Sequence, residues 1–521
     1  MFKLSGDSLD WALAHVERFG DTDIFPRPFE FQAMRHSWDA TKTYLANQDL
    51  DAWKTRPKRT CLTPKGKYAY RLSTQLDPLD ALVYLGLVFE IGGQLEASRL
   101  PAADRIVLSH RFSPEPDGQL YSRGSNWTTF LNRSGELADE TGVSHVVVAD
   151  ISDFYHRLYH HRVENMLAAA TNGSGQGRVI SKLLRQFADG NSYGIPVGPA
   201  ASRLIADAAI DDVDQLLRAE GATFCRYSDD YRLFCTSYRD AYDKLARLAE
   251  VLYRNHGLTL QQHKTSIVTV DTFKERFLAS PESEELSSLR VTFNDLVEQL
   301  VLDNPYEDIN YDDLEPPQQA LVDQLNLEGL FREQLHAQDV DIGLTRFLLR
   351  RLAQLDDQDL AMELVSNAEH FYTVIPAVVE YLAALNSIDQ SGREHLGAEV
   401  MRLIDSSYVG HLPYHRCWLL SLFAGSGLWG QQDKFVSAYN GTPERFARRK
   451  CILAMGRSRL FYWFKAARDG ALDMEPWERR AFLAGASCLA HDERRYWYGS
   501  IKHRLDQLEQ AVVLWATANP F

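Results

Sequence analysis

The chain has 521 residues, 45% hydrophobic and 24% charged, the balance of ordinary globular protein with core enough for two or more domains. Its formal net charge of −15 is the wrong sign for a protein that coats nucleic acid. Six scattered cysteines (Cys61, Cys225, Cys235, Cys417, Cys451, Cys488) form no C-x-x-C pair, which argues against a zinc site or a disulfide framework and fits a reducing cytosol.

The opening M-F-K-L-S-G-D-S lacks the apolar core of a signal peptide, and no run of about 18 uncharged apolar residues follows, so no membrane partner is expected. Pro26 and Pro28 in I-F-P-R-P-F-E predict an extended entry segment, then a helix over 30–45. Lys54, Arg56, Lys58, Arg59, Lys65, Lys67 and Arg71 make a basic stretch, a local channel in an acidic chain. A strand around Arg71 turns at Asp77-Pro78, and a helix runs over 79–91, with Asp77 and Asp80 suited to its N-terminus. Trp127 and Phe130 mark a helix within 121–143. The β-branched run within H-V-V-V-A (145–149) reads as a buried central strand ending at Asp150, with a helical pattern over 156–167. The stretch 171–177, T-N-G-S-G-Q-G, reads as a flexible loop. It lacks the strand and Lys-Ser/Thr ending of a phosphate cradle. A helix over 199–220 carries Asp207, Asp211, Asp212 and Asp214, read as solvated acids.

Residues 223–235, T-F-C-R-Y-S-D-D-Y-R-L-F-C, place apolar arms around a polar centre, the pattern of a short hairpin with Asp229 and Asp230 at its turn. Adjacent carboxylates repel. They are either a solvated turn or the ligands of a divalent cation, which converts repulsion into coordination. Asp150, an acid at the end of a buried strand, favours the second, because strand-end acid plus hairpin pair is how a two-metal phosphoryl-transfer site is built. An amphipathic helix follows over 238–256. Around 271–289 the composition shifts, with acidic clusters at 282–285 and 307–315. Helical spacing then recurs over 320–335, 344–355, 359–367, 373–385, 398–404, 414–423, 443–455, 460–469, 476–489 and 501–516, predicting stacked helix pairs in a degenerate repeat. G-S-G-L-W-G at 425–430 fits G-x-G-x-x-G but follows a predicted helix instead of a strand. R-R-Y-W-Y at 494–498 could stack single-stranded bases or form a domain seam.

Four segments resemble reverse transcriptase motifs in order: D-I-S-D-F-Y from Asp150 resembles motif A, Y-G-I-P-V-G-P-A-A-S from Tyr193 motif B, Y-S-D-D from Tyr227 motif C, and G-L-T-L through Lys264-Thr265 motif D. S-H-R-F at 109–112 resembles a further S-x-R-F segment. The F-P-R-P-F-E box resembles the opening of the bacterial abortive-infection and unknown-group reverse transcriptases. The resemblance implies an α+β right-hand polymerase, fingers and palm over 1–275. An all-α, HEAT-like helical-repeat domain over 276–521 then replaces the thumb. It implies a DNA polymerase of antiphage defence, template-independent and protein-primed, with RNA-templated copying of an associated non-coding RNA as the alternative. A non-catalytic helical scaffold for a phage or host protein is the alternative of another class.

The roles implied are as follows. Asp150 and Asp229 hold two Mg2+ (or Mn2+) ions with the Ile151 carbonyl, and Asp230 supports them. Arg71, Asp153, Phe154, Tyr155, Pro196, Gly198 and Lys264 bind the nucleotide. The glycines at 194 and 198 allow close backbone approach, and Tyr155 discriminates against a 2′-hydroxyl. Tyr44 is the candidate priming hydroxyl. The implied partners are dNTPs, a single-stranded DNA product carried covalently, a non-coding RNA and further copies of the chain in a homo-oligomer, in the bacterial cytoplasm. Departures are Ser228 inside the Y-x-D-D box and Val197 where some relatives carry glutamine. No ribonuclease H or integrase pattern follows the palm.

Overall fold

The computed structural model describes residues 2–278, 288–289, 292–293 and 314–521. Of the acidic clusters predicted at 282–285 and 307–315, only 314–315 fall within the described residues. The chain divides into two compact units. One comprises Met1–Phe31, Trp38–Thr60 and Ser73–Ser280, the other Gln32–Ser37, Cys61–Leu72 and Pro281–Phe521.

The first elements are α1 (Gly6–Phe19), α2 (Glu30–His36), α3 (Trp38–Ala46), strands β1 (Arg59–Gly66) and β2 (Ala69–Gln75), and α4 (Pro78–Ser98). The single helix predicted over 30–45 is two, because the backbone tightens at Ser37, whose N–H bonds to the Met34 carbonyl three residues back. Helix α4 begins where Asp77 accepts from the Leu79 N–H and Pro78 takes the first helical position, the arrangement proline favours. By length and composition α4 is long and apolar enough to cross a membrane, but 78% of its apolar window is buried inside the protein, so it reads as a core helix. It outruns the predicted span because its apolar residues continue to Leu95.

The first unit continues with α5 (Trp127–Ala138), β3 (His145–Asp150), α6 (Phe154–Arg157), α7 (His160–Ala170), α8 (Gly175–Phe187), α9 (Ala200–Ala209), α10 (Asp211–Ala219), β4 (Thr223–Tyr227), β5 (Asp230–Cys235), α11 (Tyr238–Val251), β6 (Ser266–Thr269) and α12 (Val270–Phe273). The strands form one sheet in the order β4-β5-β3-β6, every neighbour antiparallel. Strand β3 is central, and Val146, Val147, Val148 and Ala149 are all buried. That explains why its sequence runs apolar without alternation. Val146, Val148 and Phe234 pack with Phe130 and Leu137 of α5 and Phe273 of α12, while α11 packs on β3 and β5. The glycine-rich stretch is a turn over 171–174 and the first residues of α8 over 175–177, with Ser174 capping the helix by accepting from the Gly177 N–H.

The second unit holds α13 (Pro316–Leu325), α14 (Leu327–His336), α15 (Ile342–Gln354), α16 (Ala361–Ser366), α17 (Ile375–Ala384), α18 (Gln390–Ser406), α19 (Pro413–Gly425), α20 (Phe435–Gly441), α21 (Arg445–Arg457), α22 (Phe461–Ala467), α23 (Pro476–Gly485), α24 (His491–Ile501) and α25 (Gln507–Ala518). Every second helix stacks on the next but one: α15 on α17, then α19, α21, α23 and α25. The α21–α23 contact is close because two glycines meet there. A Cβ at Gly456 would lie 2.7 Å from the Gly485 Cα. The helix predicted over 320–335 is two, split at Asn326 in the left-handed region (φ +45°). Residues 494–498 lie in α24, where Arg494, Trp497 and Tyr498 are buried and Tyr496 is exposed, so most of that cluster is core. Residues 427–429 form one 3-10 turn after α19, with no strand before it.

His415 on α19 is buried, and its Nδ1 bonds to the Val409 carbonyl. Burial pulls its pKa down to about 4. A histidine with a depressed pKa stays neutral when folded but protonates when unfolded, so its contribution is intact above about pH 6.5 and shrinks as the pH falls toward 4. The full loss is roughly 3 kcal/mol. Thermal melting between pH 7.5 and 4.5 should fall less steeply for His415→Gln than for the unaltered chain.

Candidate active site

Strands β4 and β5 are joined by a two-residue loop, Ser228-Asp229, with Tyr227 paired to Asp230. Ser228 has φ +55°, the left-handed conformation that tight hairpins demand at the first loop position. Serine there is strained, and two fixed bonds hold it. Its N–H donates to Ser109 Oγ at 2.8 Å, and its carbonyl accepts from Arg226 Nη1 at 2.8 Å. The S-x-R-F segment thus supports the hairpin turn.

The β3–β5 register sets Asp150 opposite Asp230, and the Ile151 N–H donates to the Asp229 carbonyl at 3.0 Å. Asp150 and the Asp229-Asp230 pair, far apart in sequence, therefore meet at one end of the sheet. The segment after α11 closes the same end. The Thr259 carbonyl accepts from the Ser152 N–H at 2.8 Å, and the Gln261 N–H donates to the Asp150 carbonyl at 2.7 Å. This carries Lys264 to the site, where its Nζ lies 2.7 Å from Asp150 Oδ2. Burial pulls the lysine pKa down, but the Asp150 hydrogen bond and the charges of Asp150, Asp230 and Asp229 more than offset it and hold the ammonium above its usual value. A cation is already drawn to the point where the carboxylates converge.

Beneath the turn lies a network that sequence reading missed. Arg226 is fully buried, and its guanidinium donates to Asp214 at 2.6–3.0 Å and to Asp207 Oδ1 at 3.0 Å. Asp207 also accepts from Ser109 and faces His110 and Arg99, and the Tyr231 hydroxyl donates to Asp214. The acids expected to be solvated on 199–220 are thus corrected for Asp207, Asp214 and Asp211, which are buried. A buried arginine needs carboxylates. The available signal was Arg226 itself, a charge inside an otherwise apolar strand arm.

The motif B segment is strapped to motif A. The Ile195 N–H donates to the Tyr155 carbonyl and the Gly194 N–H to that of Leu158. The Val197 carbonyl accepts from the Thr74 N–H of β2. Gly198 has φ +131°, and a Cβ there would lie 3.1 Å from the Thr74 carbonyl oxygen, so only glycine fits. Burial raises the pKa of the Tyr155 phenol well above its usual range. The Asp207 and Asp229 charges and the Ser228 side chain also act on that phenol, so its ring reaches from motif A to the hairpin turn.

Residues 108–293 match the family described as reverse transcriptase (RNA-dependent DNA polymerase). This segment is a reverse transcriptase domain. A domain of this family indicates a nucleotidyltransferase of the RNA-directed DNA polymerase type, a family whose members use nucleotides and divalent metals. Among solved structures, the chain is similar to a telomerase from Candida albicans solved with a fragment of telomeric RNA. That pair shares 12% identity over 77% of this chain and 68% of the other, with a TM-score of 0.31. It is also similar to an apo telomerase from Candida tropicalis, with 10% identity over 80% and 73% and a TM-score of 0.33. No curated protein matches the sequence.

Within the reverse transcriptase domain, Asp150, Ile151, Tyr155, Asp229, Asp230 and Lys264 come together. Pro196 is buried in the motif B turn, Phe154 is buried against Tyr155, and Asp153 is exposed with φ +47° at the start of α6. Arg71 is exposed on β2, in the part of the hairpin that groups with the helical unit. The Tyr44 hydroxyl faces Arg56 at 3.4 Å. In the helical unit, Glu328, Asp357 and Asp359 bring ligand atoms within 4.8 Å of one another, a cluster the sequence reading did not single out.

Proposed function

We propose that the chain is a DNA polymerase of bacterial antiphage defence that extends DNA without a template from a hydroxyl of its own. The observation that carries the catalytic part is the β3–β5 register, which gathers Asp150, Asp229 and Asp230 around the Lys264 ammonium. The donor set is all hard oxygen, and a cation is already attracted to it, so the site fits Mg2+ or Mn2+. Asp150 and Asp229, with the Ile151 carbonyl, would hold the ions, and Asp230 would support them. When bound, the ions lower the pKa of the attacking hydroxyl and neutralise the triphosphate.

The hydroxyl gives its proton to water, and its oxygen bonds to the α-phosphorus as the bond from that phosphorus to the α–β bridging oxygen breaks. Lys264, already at the site and protonated, gives its proton to the leaving pyrophosphate. Gly194 and Gly198 keep the motif B backbone low against the nascent pair, beside Pro196. Asp153, Phe154 and Arg71 are assigned to the incoming triphosphate, and Tyr44 to priming, on the resemblance alone. The F-P-R-P-F-E box and the stacked helices in place of a thumb support the defence reading and a HEAT-like repeat. On this reading the protein works on dNTPs in the bacterial cytoplasm as a homo-oligomer.

The deciding experiment supplies single dNTPs to purified protein, with and without prior RNase. Labelled DNA that stays on the protein through denaturation is the expected result. Loss of synthesis after RNase would replace this reading with RNA-templated copying, and no synthesis under any condition would leave a helical scaffold. Tyr155→Val should admit ribonucleotides, lowering the dNTP/rNTP ratio of kcat/KM by roughly 10–200-fold. Single-nucleotide incorporation kinetics measure it, and an unchanged ratio removes Tyr155 from sugar discrimination.

A further inference from the structure

The second unit carries aromatic side chains that the packing of its described residues leaves largely exposed. In strand β2 the residues from Ala69 through Leu72 are all exposed, so this end of the hairpin gains nothing from a core on either side. Its side chains are not those of a solvated tip. Tyr68 is 87% exposed and Tyr70 51%, and Tyr408 of the same unit is 57% exposed. Lone exposed apolar residues are common, but contiguous ones mark a contact surface.

The surface is held in place. The Tyr372 hydroxyl donates to the carbonyls of Gly66 and Lys67 at the hairpin tip, and its ring lies 6.3 Å from that of Tyr408. Lys67 pairs with Asp339 at 2.8 Å and sits 6.0 Å from the Tyr68 ring. The rings are therefore presented on a braced element, which lowers the entropy lost on binding.

The charge is also specific. Residues 61–72, C-L-T-P-K-G-K-Y-A-Y-R-L, contain Lys65, Lys67 and Arg71 and no acid, in a chain of net charge −15. Tyr68 stands in the turn that leads into β2 and Tyr70 is the second residue of that strand, so both exposed rings sit at the hairpin tip. Bases locked in a duplex offer no free faces to such rings, whereas an unpaired strand does. Aromatic rings for bases with cations for phosphates are the composition of sequence-tolerant single-strand binding.

We propose that this hairpin surface, Tyr68 and Tyr70 flanked by Lys65, Lys67 and Tyr408, is a platform for single-stranded nucleic acid. It deepens the polymerase reading, which supplies the strand, but binding is testable without synthesis. Full-length protein, with no nucleotides added, is titrated into a labelled oligothymidylate of roughly 20 nucleotides, and binding is followed by fluorescence anisotropy. Tyr68→Ala with Tyr70→Ala should raise Kd roughly tenfold or more. The matching double phenylalanine variant, which keeps the rings, should stay within about twofold. Lys65→Ala should reduce the salt slope by about one.

The platform is overturned if the alanine variant binds like the unaltered chain or if a duplex of equal length binds as tightly. It is also overturned if the unaltered chain binds no oligonucleotide at low salt, in which case the surface belongs to a protein partner. Normal binding by the alanine variant beside intact synthesis sinks the platform alone. The expected binding pattern without any synthesis sinks the polymerase reading alone.

Discussion

Asp150→Asn should reduce dNTP incorporation at least about a thousandfold while the protein still folds. The substitution is nearly isosteric, and Asp150's role in the sheet is carried by its backbone, which accepts from the Gln261 N–H and pairs opposite Asp230. What is lost is one negative charge at the point where three carboxylates meet a cation. Transition-state charge stabilisation in a shielded site is the largest single contribution to such catalysis, and losing one member costs about two to three orders of magnitude even for a neutral donor. A metal-bearing carboxylate should cost at least the upper figure. Incorporation of labelled dNTP, measured with both Mg2+ and Mn2+, reads the effect, and a thermal melt checks the fold. A variant that keeps more than about a tenth of the activity, with an unchanged melt, would remove Asp150 from the chemistry.

Arg226→Met should be the most damaging single change to stability in the first unit. Its guanidinium is wholly buried and serves Asp214, Asp207 and the Ser228 carbonyl together. Removing one partner of a buried ionic network leaves uncompensated charge, at a cost of about 3–5 kcal/mol. For a unit of this size that is a fall in Tm of roughly 10 °C. The pH dependence should change as well. In the intact chain burial pushes Asp207 up, but the His110 and Arg226 charges more than offset it and hold its carboxyl well below the usual range. Its contribution is therefore present above the ordinary carboxylate pKa and lost as the pH falls below it. Without Arg226 the desolvation cost dominates and protonation helps, so the gap between variant and parent should narrow toward about pH 5. Activity should fall too, because the left-handed Ser228 loses one of the bonds that hold the hairpin turn. Combining Arg226→Met with Asp214→Asn should recover part of the lost stability, the coupling expected of contacting residues. A Tm within about 2 °C of the parent would show that the network is dispensable.

Much of the catalytic end of the sheet could be read from the chain because strands announce themselves locally. The apolar run ending at Asp150 and the arms around Asp229-Asp230 are period-two and burial signals spanning a few residues each. Helix ends were less legible. Ser37 and Asn326 break helices whose apolar spacing continues across them, because backbone geometry at a single residue overrides periodicity. Residues 494–498 showed composition but not exposure, since which side of α24 faces the core depends on neighbours distant in sequence.

The sequence by itself determined the order of the segments, the identity of the carboxylates and the switch from strand to helix spacing after the palm. Those are properties of side-chain type and local period. Only the tertiary structure decided that Asp150 stands opposite Asp230, that Lys264 reaches Asp150, and that Asp207 and Asp214 turn inward to neutralise Arg226. Register and the pairing of buried charge depend on contacts between residues up to about a hundred positions apart. Local periodicity reaches only a turn or two along the chain.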